Sequence, residues 1–160
     1  MTAEPTARKT SGEADPGGPP PYDAAALGRV VPYVELRAVE LVGVYFDRAD
    51  DGPFAAEIAD TAPELGIGVE WELAPSGDQL GCVLSFATLF EGDEPYQLHA
   101  RFRAQYTIEM VAAPTIDDVQ QFVYWNAVFN VWPYWREYLS STINRAGLPR
   151  FVAPVMRVPR

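Results

Sequence analysis

The sequence predicts an α+β protein in which a four-stranded antiparallel sheet, with a crossover loop after its first strand, carries C-terminal helices packed on one face. Three observations support this class: strand-like alternation of apolar and polar residues between about 33 and 111, turn residues between the later runs, and helical periodicity after Pro114. The 160 residues, 48% of them hydrophobic, suffice for one compact core.

The beginning of the chain differs in composition from the rest. Over 1–28 it is rich in proline and glycine, with Pro19, Pro20 and Pro21 consecutive. Because it offers little apolar surface to offset the entropy cost of ordering, we predict a disordered tail over 1–28 and a single domain over 29–160.

The strands follow from a period of two. Every second residue from Tyr96 to Met110 is apolar, which is typical of a strand with one buried face, and shorter runs over 67–73 and 80–90 behave alike. The turn sequences APSGDQ and EGDEP between them predict an antiparallel meander over 66–111.

The first strand-like run, over 33–47, places Glu40 on the inward parity, so we expect a bulge near 38–40. The long segment from this run to the meander is expected to be the crossover loop, with one helical turn at 54–58.

After Pro114 the apolar spacing becomes helical. Thr115 and Asp118 resemble a capping box. Pro133 would cost about 3 kcal/mol inside a continuous helix but little in the first turn of a new one. We therefore predict two consecutive helices, over about 115–129 and 132–146, with Gly147 ending the second.

Composition excludes several classes of function. The formal net charge of −10, without a basic stripe, argues against nucleic acid as a partner, and no apolar stretch is long enough for membrane insertion. The single histidine, His99, and the single cysteine, Cys82, are expected on opposite faces of the sheet. We predict no catalytic residue, no cofactor and no metal, in a cytoplasmic protein that is not an enzyme.

The chain holds more large aromatic side chains than one small core readily hides, with four Trp, eight Tyr and eight Phe. Exposed along a groove, such residues bind extended chains without reading their sequence. The candidates for binding unfolded polypeptide are Phe54, Ile58, Leu65, Trp71, Tyr124, Trp125, Phe129 and Trp132. The alternative is that each of them is a core or subunit-interface residue.

The segment WPYWREYLSSTINRAGLPRFVAPV resembles the C-terminal signature of the SecB chaperones, in which a helix opens F-P-Y-A-R-E, closes on R-G-x-F-P and leads to an apolar segment ending P-V. The order of the elements matches as well, from about 33 to 155. The positions to which we assign structural roles in this signature are Pro133, Tyr134, Arg136, Glu137, Arg145, Gly147 and Pro149.

The resemblance implies an ATP-independent holdase, a homotetramer built as a dimer of dimers, that binds unfolded or precursor polypeptides in apolar grooves. SecB itself serves protein export and hands its cargo to the SecA motor, which docks on an acidic outer sheet face and a C-terminal tail. Arg101 and Arg103 dilute that acidity here, and we find no match to the tail, which puts SecA in doubt. The chain is then also similar to SecB-like chaperones that protect an antitoxin of a toxin–antitoxin system.

Two proteins of another class are the remaining alternatives, a purely structural interaction module and a carrier of a small ligand. A curved sheet around an aromatic-rich helix can hold a small hydrophobic ligand in the space between them.

Overall fold

The computed structural model describes residues 11–12, 19–48, 64–90, 96–109, 113–148 and 151–156. Its helices and strands, in chain order, are β1 (Ser11–Gly12), α1 (Ala24–Val30), a 3-10 turn (Val31–Tyr33), β2 (Val34–Arg48), β3 (Glu64–Leu73), β4 (Gln79–Phe90), β5 (Tyr96–Ile108), α2 (Ile116–Gln121), a π-helical segment (Phe122–Ala127) and α3 (Val128–Arg145).

The sheet has the order β1-β3-β4-β5-β2, and all neighbours are antiparallel. Its four long strands confirm the predicted class and the predicted meander, to which the two-residue β1 is added at one edge. Because β2 lies beside β5 rather than β3, the chain between β2 and β3 connects opposite edges of the sheet, as a crossover requires. The crossover itself, with the helical turn predicted at 54–58, lies outside the described residues.

Two irregularities in β2 explain how Glu40 avoids the core face on which simple alternation would place it. The register of β2 against β5 shifts between Leu36 and Ala38 and again between Leu41 and Gly43, on either side of the predicted position. Since one extra residue exchanges the two faces of a strand, the first shift turns Glu40 outward, opposite Arg103, and the second returns the later apolar residues to the core face.

The prediction of two separate C-terminal helices is wrong. α2, the π-helical segment and α3 follow one another without interruption from Ile116 to Arg145, and Pro133 stands inside α3. The predicted capping box at Thr115 is confirmed, since the Thr115 and Asp118 side chains bond each other's backbone N–H groups at 3.2 Å and 3.1 Å.

The π-helical segment explains how the proline is accommodated. It holds one extra residue, which turns everything after it by about 100° relative to a continuous α-helix. The buried stripe therefore continues through Ala127, Val131 and Trp135, and Pro133 falls on the exposed side. The residue whose carbonyl loses its helical donor, Phe129, is exposed as well, so water can solvate that carbonyl.

Helix α3 ends as predicted. Gly147 has a φ of 68°, a value that favours glycine, and the N–H of Leu148 donates to the carbonyl of Ile143 at 3.0 Å. This is the six-to-one bond of a Schellman motif, and Leu148 is buried against the core. Pro149 lies outside the described residues.

The predicted boundary of the tail at residue 28 falls inside a helix and is wrong. The Asp23 carboxylate caps α1 by accepting from the N–H groups of Ala25 at 2.8 Å and Ala26 at 3.1 Å. Leu27 and Val30 bury against the core, so tertiary packing orders a helix too short to be stable alone. Disorder of the earlier residues stays a prediction, because 1–10 and 13–18 lie outside the described chain.

The core is formed where α3 crosses the middle strands of the sheet. Trp135, fully buried, stacks on Phe86 of β4 with ring centroids 5.6 Å apart, and Trp132 meets the same ring edge-on at 5.9 Å. Phe102 of β5 contacts Phe86 from the neighbouring strand at 6.1 Å. Phe86 is therefore the centre of an aromatic cluster that joins sheet and helix.

We expect Phe86→Ala to lower the free energy of unfolding by about 3 to 5 kcal/mol, because it leaves a cavity under two tryptophans. Tyr134→Ala on the exposed side of α3 removes a similar ring and should cost under about 1 kcal/mol. Urea unfolding of both variants measures the difference. Equal losses would show that the aromatic cluster does not hold helix and sheet together.

The Asp118 carboxylate joins α1 to α2, since the Arg29 guanidinium donates to it at 2.5 Å and 3.0 Å. This hydrogen bond, followed by those from Thr115, lowers the pKa of Asp118. The resulting stabilisation is present above the unfolded pKa of about 3.9 and is lost as pH falls through the lower folded pKa.

Asp118→Asn should therefore lower the free energy of unfolding by roughly 1 to 2 kcal/mol at pH 7, and the difference from the unmodified chain should shrink below about pH 4. Asp117→Asn, in the same turn but exposed, is the matched control. Urea unfolding at pH 7 and pH 3 tests this. A loss that is the same at both pH values, or the same in both variants, would contradict the assigned role.

Candidate polypeptide-binding surface

The helix is narrower than the sheet on which it packs. An α-helix with its side chains is about 10 Å across, whereas four strands at about 4.8 Å spacing extend over nearly 20 Å. α3 covers β4 and β5, where Leu84, Phe86 and Leu98 are fully buried on the core face. The core-facing residues of the two outer strands are therefore left at the sides of the helix.

On one side, the second half of β2 presents apolar residues to solvent. Leu41, Val44 and Phe46 lie opposite Phe102, Ala100 and Leu98 of β5 and so share the core face. They are 49%, 58% and 43% exposed. We call these three residues the β2 flank.

On the other side, the first half of β3 does the same. Leu65 and Ile67 lie opposite Thr88 and Phe86 of β4, and each is 41% exposed. We call these two residues the β3 flank. The second half of β3 differs, because the π-helical segment passes over it and Val69 is buried.

The predicted binding residues divide into four groups. Leu65 and Phe129 are exposed, Phe129 to 44%, and Tyr124 and Trp125 are partly buried. Two predictions need correction: Trp71 and Trp132 are 8% and 4% exposed and belong to the core, because the π-helical segment and the C-terminal chain cover them. Phe54 and Ile58 lie outside the described residues.

Trp125 and Phe129 also line a cavity of about 380 Å³ beside α1. Its other walls include Tyr22, Leu27 and Val31, so it is mainly apolar. The predicted position for a small ligand, between sheet and helix, is filled by Phe86 and its aromatic neighbours, and the cavity lies on the outer side of the helix instead.

Trp132 and Arg136 of the signature segment hold the C-terminal chain against the helix. The Trp132 indole N–H donates to the carbonyl of Pro154 at 3.0 Å, and Arg136 Nε donates to the carbonyl of Ala153 at 3.1 Å. Phe151 then meets Phe90 of β4 edge-on at 5.4 Å. Pro133, Tyr134, Glu137 and Arg145 are on the exposed side of α3.

The outer face of the sheet carries charges of both signs in pairs. Glu70 and Arg101 are 3.4 Å apart, and Glu40 and Arg103 are 3.9 Å apart, each across neighbouring or next-neighbouring strands. This face is therefore not uniformly acidic. The sequence predicted this mixed charge from Arg101 and Arg103.

The two residues with catalytic potential are separated by the sheet. Cys82 is on the core face, where burial raises the pKa of its thiol to about 12, and His99 is on the outer face. Among the described residues no group of three or more His, Cys, Asp or Glu side chains is placed to hold a metal ion. None of the helices in the described ranges is long and apolar enough to cross a membrane.

Sequence reasoning missed Val44, Phe46 and Ile67, because their alternation indicates a core face and they were expected to be buried. It missed Leu41 because the alternation over 33–47 placed that residue on the outer face, before the register shift in β2. The sequence did contain a signal for this exposure, namely the number of predicted strands compared with the number of predicted helices. A single helical layer is too narrow for four strands, which requires exposure at the edges.

Neither a protein-family model nor a curated protein sequence matches the chain. Among solved structures, the Mycobacterium tuberculosis Rv1957 SecB-like chaperone, in complex with a ChAD peptide from the Rv1956 HigA1 antitoxin, is similar with a TM-score of 0.71 and 15% sequence identity. The match covers 82% of this chain and 97% of that one. A protein of unknown function from Streptococcus agalactiae matches with a TM-score of 0.46, 12% identity, and coverage of 76% and 96%. The chain has the SecB-like fold.

Proposed function

We propose that this protein is an ATP-independent, cytoplasmic holdase of the SecB-like family that binds unfolded or precursor polypeptides. The observation that carries the proposal is the set of apolar side chains exposed at both sides of a helix on one sheet face. Apolar residues that stay exposed after folding can bind an extended polypeptide, because its apolar side chains can pack against them. The SecB-like fold and its occurrence in a chaperone bound to a peptide support this function.

We assign the two flanks different roles. Among the described strands β2 is the last one on its side of the sheet, whereas the edge of β3 is partly covered by Ser11 and Gly12. The β2 flank is therefore the proposed subunit interface of a homotetramer. The β3 flank is the proposed polypeptide-binding surface, and Phe129, exposed on the outer side of the helix, is a second proposed contact for the polypeptide.

Two kinds of client were expected from the sequence, an antitoxin and precursor proteins that are exported through SecA. The solved relative is bound to an antitoxin peptide, which supports an antitoxin as client. The paired charges on the outer sheet face give no support to a docking site for SecA, so an export role through SecA is not included.

A small hydrophobic ligand is the second candidate, and the cavity beside α1 favours it. Its volume of about 380 Å³ and its apolar walls suit a compact ligand. Co-purification of one defined compound, without protection of unfolded clients, would support this candidate against the holdase.

The holdase proposal predicts that the purified protein suppresses aggregation of a chemically denatured client without ATP. Leu65→Ser/Phe129→Ser should weaken this protection several-fold, because it removes apolar area that is already exposed and costs little stability. Val152→Ser/Val155→Ser removes similar exposed area elsewhere and is the matched control. Light scattering at increasing chaperone concentration gives the comparison. Equal loss in both variants would refute the assigned surface, and no protection by the unmodified chain would refute the holdase.

The interface proposal predicts a tetramer that Val44→Glu dissociates, because a charge would be buried where two β2 flanks meet. Glu35→Gln, on the outer face of the same strand, should leave the assembly unchanged. Column-coupled light scattering measures the mass, and circular dichroism checks that both variants fold. A monomeric unmodified chain, or a tetramer that tolerates the glutamate, would contradict the interface.

A further inference from the structure

The proline run that precedes α1 is hydrogen-bonded to Gln121 and Trp125 of the C-terminal helical segment. The Trp125 indole N–H donates to the carbonyl of Pro20 at 3.2 Å, and the Gln121 side chain donates to the carbonyl of Pro21 at 2.8 Å. The same Gln121 amide accepts from the N–H of Asp23 at 3.2 Å. Tyr22 stands edge-on to Trp125, with centroids 5.5 Å apart.

These contacts have the chemistry of peptide recognition. All three hydrogen bonds go to main-chain atoms of the segment, so they recognise an extended backbone rather than its side chains. Proline has no N–H, which leaves carbonyls as the groups that its backbone offers, and Trp125 and Gln121 supply matching donors. The N–H of Asp23, two residues after Pro21, donates to the side-chain oxygen of Gln121.

Proline-rich peptides bind in this way to aromatic surfaces elsewhere in proteins. A proline run is pre-set to the polyproline II conformation, so it loses little entropy on binding, and aromatic side chains pack against its rings. Here the run is Pro19–Pro21, and the aromatic partner, Trp125, is only partly buried. Gln121 and Trp125 are four residues apart and lie on one face of the helix.

We propose that Gln121 and Trp125 form a binding site for extended, proline-rich peptide segments, and that Pro20–Tyr22 of this chain occupies the site in cis. The segment acts as an intramolecular ligand, held at high effective concentration by α1, which begins at Ala24 and is tied to α2 through Arg29 and Asp118. This inference rests on the contacts alone and does not depend on holdase activity.

The test uses the full-length chain and a fluorescently labelled peptide with the sequence of residues 17–24. An opened variant, Pro20→Gly/Pro21→Gly/Tyr22→Ala, loses the stiffness and the ring of the cis ligand but keeps the Asp23 cap. Fluorescence polarisation should show the peptide binding at least about tenfold more tightly to the opened variant than to the unmodified chain. Circular dichroism checks that the opened variant is folded.

Two further substitutions in the opened variant locate the site. Trp125→Phe keeps a ring but removes the donor, Gln121→Ala removes the amide, and each should weaken peptide binding several-fold. Gln120→Ala, next in the chain, is the matched control and should have no effect. A peptide with its three prolines changed to alanine should bind more weakly than the original.

Equal peptide binding by the unmodified chain and the opened variant would overturn occupancy in cis. If neither Trp125→Phe nor Gln121→Ala weakens peptide binding to the opened variant, the assignment of the site to these two residues is wrong. The aggregation assay on the same proteins reports separately on the holdase, so failure of one proposal is distinguishable from failure of the other.

Discussion

The width of one helix against four strands is the constraint on which the rest of this structure depends. The stack of Trp135 on Phe86 places α3 over the middle of the sheet, and only β4 and β5 can then be covered along its length. The outer strands keep the apolar alternation of core strands, but none of the described helices lies above their exposed halves. Apolar side chains that a second helix would bury are therefore exposed at both sides of α3.

The residues of the C-terminal signature orient α3 on the sheet and hold the chain that follows it. The π-helical segment rotates the stripe so that Trp132 and Trp135 face inward while Pro133 and Tyr134 face outward. Trp132 and Arg136 then use their N–H groups to hold the carbonyls of residues 154 and 153. The helix thus packs on the sheet through its apolar side chains. It holds the chain that follows it through the N–H donors of Trp132 and Arg136, which a purely apolar stripe would not provide.

The surfaces around this helix differ in what already covers them. The β3 edge is partly paired by β1, β2 is the last described strand on its side of the sheet, and the outer helical face near Trp125 carries the proline run. Each of these arrangements follows from local chemistry: strand pairing at the edge of a sheet, apolar side chains beside a narrow helix, and side-chain donors opposite proline carbonyls. Roles in assembly and binding can be assigned on that basis.

The sequence alone determined the elements whose signals are local. A period of two defined the strands, the glycine at 147 defined the helix end, and the arginines of β5 indicated a mixed outer face, because backbone sterics and side-chain alternation act over a few residues. The resemblance in the C-terminal signature added the family-level hypothesis for the fold.

Tertiary structure decided what depends on long-range packing. The continuity of the helix through Pro133, the order of α1, the burial of Trp71 and the exposure of the β2 flank all depend on contacts between residues far apart in the chain. Alternation specifies that a residue points to the core face, but not whether anything lies above it. Coverage is set by the relative widths and positions of whole elements, and these are fixed only when the sheet and the helix pack together.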